Sequence, residues 1–266
     1  MTRIPFTKAH GARNDFLLTW AHEAPHANLA QAAVALMDRH AGVGADGWLL
    51  VSPARNGEPA AIRLFNPDGS EVEISGNGTR CAAAFLTDAG LAGDELLIRT
   101  GAGVKELRLL RRDGLRFEFD MNMGEAKLLE LRHRLALSSG EREATLIDAG
   151  NPQCAVFTDD FEFDWKALGA EIEVHPDFPN RTNVSFVRPV DRQTLDVRFF
   201  ERGAGFTMSS GTGSTGAFAA ARARGLAGDE ATVRTLAGDL ALRYAGGVIR
   251  LQGPAEIVAG GEFYWS

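Results

Sequence analysis

Ser75 and Ser210 open two Ser-Gly-x-Gly turns, Ser75-Gly76-Asn77-Gly78 and Ser210-Gly211-Thr212-Gly213, and an Ala-rich stretch follows each. A helix that starts at such a turn offers unpaired backbone N–H groups and about half a positive charge. Its glycines let a ligand approach that backbone closely, so the turn suits a carboxylate or phosphate. Two such turns facing each other across a cleft would grip one carboxylate from both sides. They would also stabilise the charge that develops when the neighbouring carbon loses its proton. The residue capping each helix then stands on either face of that carbon. A two-base racemase or epimerase needs this: one side chain takes the proton and the other delivers one to the opposite face. The same turn is also ordinary N-cap chemistry, with Ser accepting from a helix N–H. One copy argues for a cap; two at a fixed offset argue for a ligand site.

The offset comes from a loose duplication. Arg63-Leu64-Phe65-Asn66 precedes the first turn and Arg198-Phe199-Phe200-Glu201 precedes the second, and position 210 lies 135 residues after position 75. The chain has 266 residues, so each copy fills about half of it. Two lobes follow: residues 1–121, with 255–266 returning to them, and residues 122–254.

The elements that must carry the turns are mostly strands. Glu106–Leu110 and Arg116–Met121 flank Arg112-Asp113-Gly114, a hairpin signal. Leu195–Phe200, Leu240–Tyr244 and Val248–Leu251 also alternate. Helical spacing is found over Asn28–Arg39 and, more briefly, Trp165–Glu171. The stretches Thr79–Ala89 and Ser214–Arg224 are apolar nearly all round, so each predicts a buried helix. The expected fold is α+β, each lobe a curved, mostly antiparallel sheet around one central helix. Residues 121–128 read as the crossover, and Phe263-Tyr264-Trp265 as a strand returning to the first lobe.

Composition narrows the function classes. Net charge is −7 and the hydrophobic share 45%, an ordinary soluble balance with no basic surface for nucleic acid. No apolar run approaches the length of a membrane span and no signal sequence is evident, so a cytoplasmic location is expected. Symmetry statistics alone favour a homodimer. Cys81 and Cys154 show no disulfide or metal spacing and read as small buried hydrophobes. Pro25 between His22 and His26 argues against a helical metal pair, and His10 reads as structural. Gly42-Val43-Gly44 is too short for a dinucleotide fingerprint. No metal and no cofactor are expected.

Longer motifs extend these turns: Lys8-Ala9-His10-Gly11-Ala12-Arg13-Asn14-Asp15-Phe16, Gly42–Gly47, Phe65–Glu71, Ser75–Cys81, Gly150-Asn151-Pro152-Gln153, Arg181-Thr182-Asn183, Glu201–Gly205 and Ser209–Gly213. With them the chain resembles the diaminopimelate epimerases, cofactor-independent enzymes of lysine and cell-wall biosynthesis. The resemblance implies two pseudo-symmetric lobes and proton transfer at an amino-acid α-carbon. It implies that Asn14, Asn66, Asn151, Asn183, Glu201 and Arg202 hold the non-reacting amino-acid end of the substrate. It implies that the backbone of Gly76-Asn77 and Gly211-Thr212 holds the reacting carboxylate. Ser75 and Ser210 fall at the acid/base positions.

There the chain departs from the family, which carries cysteine at both positions. Gln153 replaces a typical His, and Phe206 a common Glu. A thiol starts near pKa 8.5 and a helix head brings it toward neutrality. An alcohol starts several units higher and becomes a base only beside a general base, and no histidine stands in either motif. Four readings stay open: an epimerase or racemase that uses its serines; an isomerase or lyase with Asp68 or Glu201 as base; an amino-acid-binding homologue without turnover; and a deliberately substituted enzyme.

Overall fold

The computed structural model describes residues 2–266, in two compact units: the chain up to Met121 with Gly253–Ser266, and Asn122–Gln252. The first unit holds β1 (Thr2–Gly11), β2 (Asn14–Trp20), α1 (Leu29–Met37), β3 (Gly47–Ser52), β4 (Ala60–Phe65), β5 (Glu71–Val72), α2 (Gly76–Asp88), β6 (Glu95–Thr100), β7 (Gly103–Asp113) and the start of β8 (Arg116–Gly124). The second holds the end of β8, then β9 (Lys127–Leu137), β10 (Gly140–Asp148), β11 (Pro152–Phe157), α3 (Trp165–Glu173), β12 (Asn183–Asp191), β13 (Thr194–Glu201), β14 (Gly205–Thr207), α4 (Gly211–Ala223), β15 (Glu230–Thr235), β16 (Gly238–Ala245) and the start of β17 (Val248–Trp265). The rest of β17 belongs to the first unit.

The fold is α+β, and the duplication is visible strand by strand. Each unit is mostly antiparallel with two parallel pairings: β2–β3 and β4–β6 in the first, β11–β12 and β13–β15 in the second. One buried helix packs against the strands of each unit, α2 against β1, β2, β3, β4 and β6, and α4 against β9–β13, β15 and β16. Alanines on these helices, such as Ala82, Ala83, Ala217 and Ala220, are fully buried. Small side chains let strands close in on every side, which explains the lack of an amphipathic stripe.

Two expectations shift in detail, and one is met. Both central helices start earlier than their Ala-rich stretches, at Gly76 and Gly211, because the serines cap them. The chain passes from the first unit to the second within 121–128, where β8 runs to Gly124 and β9 resumes at Lys127, with Gly124 at positive φ in the turn. The C-terminal strand extends well beyond Phe263–Trp265, pairing antiparallel with β1 from Thr2↔Trp265 to His10↔Glu256. The hairpin of β16 and β17 turns on Gly246 and Gly247, both at positive φ, the conformation a tight hairpin of this hand requires.

A histidine clasp ties β9 to the loop after α3. His133 Nδ1 and Nε2 each lie 2.9 Å from a carboxylate oxygen, of Glu130 and Asp177. His175 contacts Asp177 as well, and Phe178 packs against both rings. Burial of the His133 ring opposes its protonation, but the two carboxylates outweigh this and raise its pKa. The clasp's contribution is therefore complete below the ordinary histidine pKa and is lost as pH rises through the raised value. Denaturant unfolding should show His133→Ala costing up to about 1 kcal/mol near about pH 5.5 and markedly less near about pH 8.5. An equal cost at both values would contradict it.

Candidate active site

Ser75 caps α2 and Ser210 caps α4 with nearly the same geometry. Each has extended backbone, with φ −130° and −139°. Ser75 Oγ accepts from Gly78 N at 3.1 Å and Ser210 Oγ accepts from Gly213 N at 3.0 Å. Such a cap stabilises a helix by about 1 kcal/mol. The third residue after each capping serine must be glycine for a packing reason. A Cβ on Gly213 would lie 2.8 Å from the Phe199 ring and 2.9 Å from Ser210 Oγ, and one on Gly78 would press on Phe16.

The two helix heads differ in what else they touch. Ser210 Oγ donates to Glu201 Oε1 at 2.5 Å, the length of a charge-assisted O–H···O⁻ bond. The β13–β14 hairpin makes the meeting possible: it reverses the chain between Glu201 and Gly205 and brings the strand end back over its own continuation. Sequence reasoning does not pair these residues. The one available signal is a carboxylate ending a strand nine residues before a helix cap. At the first head the position equivalent to Glu201 is Asn66, whose Nδ2 donates to Ser70 Oγ within its own turn. Among the described residues, the Ser75 partners are the Gly78 amide and Thr79, not a carboxylate.

Around α2 the amides form an ordered chain. Arg80 donates to Asn77 Oδ1, Asn77 Nδ2 to Asn14 Oδ1 at 3.2 Å, and Asn14 Nδ2 to Asp46 Oδ2 at 2.8 Å. Arg39 clamps Asp46 and Asp15 at 2.7 and 2.8 Å, and Lys8 pairs with Asp15 at 2.9 Å. Burial opposes ionisation of Asp15, yet the two cations hold its carboxyl below the usual range. Asn14 is thereby fixed to a charged anchor on β1, β2 and the loop before β3.

Around α4, Asn151 Nδ2 reaches Thr212 Oγ1 at 3.5 Å and its Oδ1 accepts from Gln153 Nε2 at 2.7 Å. Asn183 Oδ1 accepts from Arg202 N at 3.0 Å, and its Nδ2 donates to the Pro152 carbonyl at 2.9 Å. It thus joins the β11 entry to the Glu201-Arg202 turn. Gln153 is buried and its Oε1 has no partner among the described residues. Gly216 makes room for it: a Cβ there would lie 2.7 Å from Gln153 Cγ.

Four other residues that stand out in the sequence lie elsewhere or are unfit as bases. The Phe206 ring packs edge-on against Trp165 at 5.5 Å with Lys166 above it, on the α3 side of its hairpin. Asp68 accepts from the Ser70 hydroxyl and amide at 2.6 and 2.9 Å, which lowers its pKa and weakens it as a base. Cys81 and Cys154 are fully buried, and burial pushes both thiols up to about 12, so neither substitutes for the serines.

The family model for diaminopimelate epimerase matches residues 6–129 and 145–258. The chain belongs to the diaminopimelate epimerase family. Among relatives, it is 37% identical to the diaminopimelate epimerase of Pelotomaculum thermopropionicum, covering 97% of this chain and 98% of that one. It is 38% identical to diaminopimelate epimerase 1 of a Nostoc species, over 97% and 99%. Among solved structures, a hydroxyproline epimerase from Agrobacterium vitis with bound trans-4-hydroxy-L-proline superposes with a TM-score of 0.73 at 19% identity, over 98% and 91% of the two chains. That likeness establishes the shared fold. Within this family, the serines that cap α2 and α4 are the feature to be explained.

Proposed function

We propose that this chain interconverts LL- and meso-diaminopimelate by proton transfer at the α-carbon, without a bound cofactor. The observation that carries the reading is the Ser210–Glu201 hydrogen bond, which gives an alcohol the general base it otherwise lacks. In one direction Ser210 Oγ takes the α-proton while its own proton passes to Glu201 Oε1. The electron pair left on carbon spreads into the substrate carboxylate. The amide groups of Gly76-Asn77 and Gly211-Thr212 stabilise that charge. Ser75 delivers a proton to the opposite face and is reprotonated from water. Asn14, Asn66, Asn151, Asn183 and Arg202 hold the remote amino-acid end.

A second reading rests on the Ser75 head, where no carboxylate accompanies the serine among the described residues. If only the Ser210 face moves protons, the enzyme removes and returns the α-proton without inversion. Incubating the LL isomer and resolving products by chiral chromatography separates the two. Accumulation of the meso isomer is the expected result. An unchanged LL isomer whose α-proton nevertheless exchanges would establish the one-faced reaction instead.

A further inference from the structure

Arg80 is a feature of the first helix head that the proposed chemistry leaves unused. It lies inside α2 and is fully buried. Its Nε donates to the Pro254 carbonyl at 3.1 Å, one terminal nitrogen to the Gly76 carbonyl at 3.4 Å, and the other to Asn77 Oδ1 at 2.5 Å. All three acceptors are neutral. Burial lowers its pKa to about 10, so it remains protonated at neutral pH. A buried guanidinium bonded only to neutral acceptors is costly, and an apolar side chain of similar size would fill the space at less cost. Gly11 leaves room for it: a Cβ there would stand 3.2 Å from the guanidinium and 3.3 Å from Asn77 Cα.

The duplication sharpens the point. The position 135 residues after Arg80 is Thr215, whose hydroxyl donates to the Gly211 carbonyl at 2.9 Å and carries no charge. A cation therefore underlies the α2 head, while a carboxylate, Glu201, accompanies the α4 head. Arg80 also sets the direction of the amide chain. A guanidinium only donates, so Asn77 must turn Oδ1 toward it and Nδ2 toward Asn14.

We propose that Arg80 is a positioning residue that supplies the buried counter-charge for the substrate's reacting carboxylate at the head of α2. The inference rests on the proposed substrate and adds a selectivity device to it: the counter-ion of Arg80 arrives with the ligand.

Calorimetric binding of meso-diaminopimelate and of 1,5-diaminopentane tests this, since the diamine keeps both ammonium groups and has no carboxylate for the head of α2. The wild type should prefer diaminopimelate. Arg80→Gln should weaken diaminopimelate by about 10- to 100-fold and leave 1,5-diaminopentane within about twofold, narrowing the preference by that factor. Arg80→Lys keeps the charge but cannot make all three bonds. It should melt at lower temperature yet hold the preference within about threefold, and it carries the test even if Arg80→Gln does not fold. Equal weakening of both ligands in either variant, or loss of preference in Arg80→Lys, would make Arg80 a structural stitch and overturn the proposal. A wild type without any preference would instead remove the proposed substrate itself.

Discussion

Replacing both helix-cap serines together, Ser75→Cys with Ser210→Cys, should raise epimerisation on the order of 10²- to 10⁴-fold. Proton affinity sets the difference between the two side chains. Both Oγ atoms already accept a helix N–H, from Gly78 and Gly213. That field lowers a thiol to the range where an appreciable fraction is thiolate at neutral pH. It leaves an alcohol protonated, so the wild type must move its hydroxyl proton to a carboxylate within the same step that breaks the C–H bond. Initial rates on the LL isomer, with thermal melts to show both proteins folded, check this. A folded double variant no faster than the wild type would mean that the α-carbon is not delivered to positions 75 and 210 at all.

Glu201→Gln should have the second largest effect, a loss on the order of 10²- to 10⁴-fold in turnover with little change in KM. The amide oxygen can still accept from Ser210, so the hydroxyl keeps its place and only the base is lost. In the double-cysteine background the same substitution should cost much less, because a thiolate takes the α-proton directly and has no proton of its own to pass to a carboxylate. That non-additivity is the signature of two groups acting as one. A raised KM with unchanged turnover would return Glu201 to the remote-end binding role that the family resemblance implies.

How much of this is legible in the sequence follows from where each interaction is local. The caps, the helices they start and the strands around them repeat at one offset, and periodicity displays such elements directly. The contact of Ser210 with Glu201 is not legible, although the residues are only nine apart. It depends on the β13–β14 turn returning the strand end to the helix cap. Phe206 stands out in the sequence as a substitution near the site, but strand alternation sends its ring to α3. Gly216 has no visible reason in the sequence; the Gln153 side chain packed against it supplies one. Arg80 looks like a stray charge in an Ala-rich helix; only its burial against three neutral acceptors distinguishes it. Periodicity encodes the scaffold, whereas these tertiary contacts depend on which face each turn returns to.

The most direct test of proton transfer at these serines is proton NMR of meso-diaminopimelate with the purified protein in D2O, following the Cα–H signal. The account predicts loss of that signal beyond a no-protein control, and its persistence when Ser75→Ala and Ser210→Ala are combined. A Cα–H signal that persists with the wild type while the ligand's lines broaden would show binding without proton transfer and would contradict it.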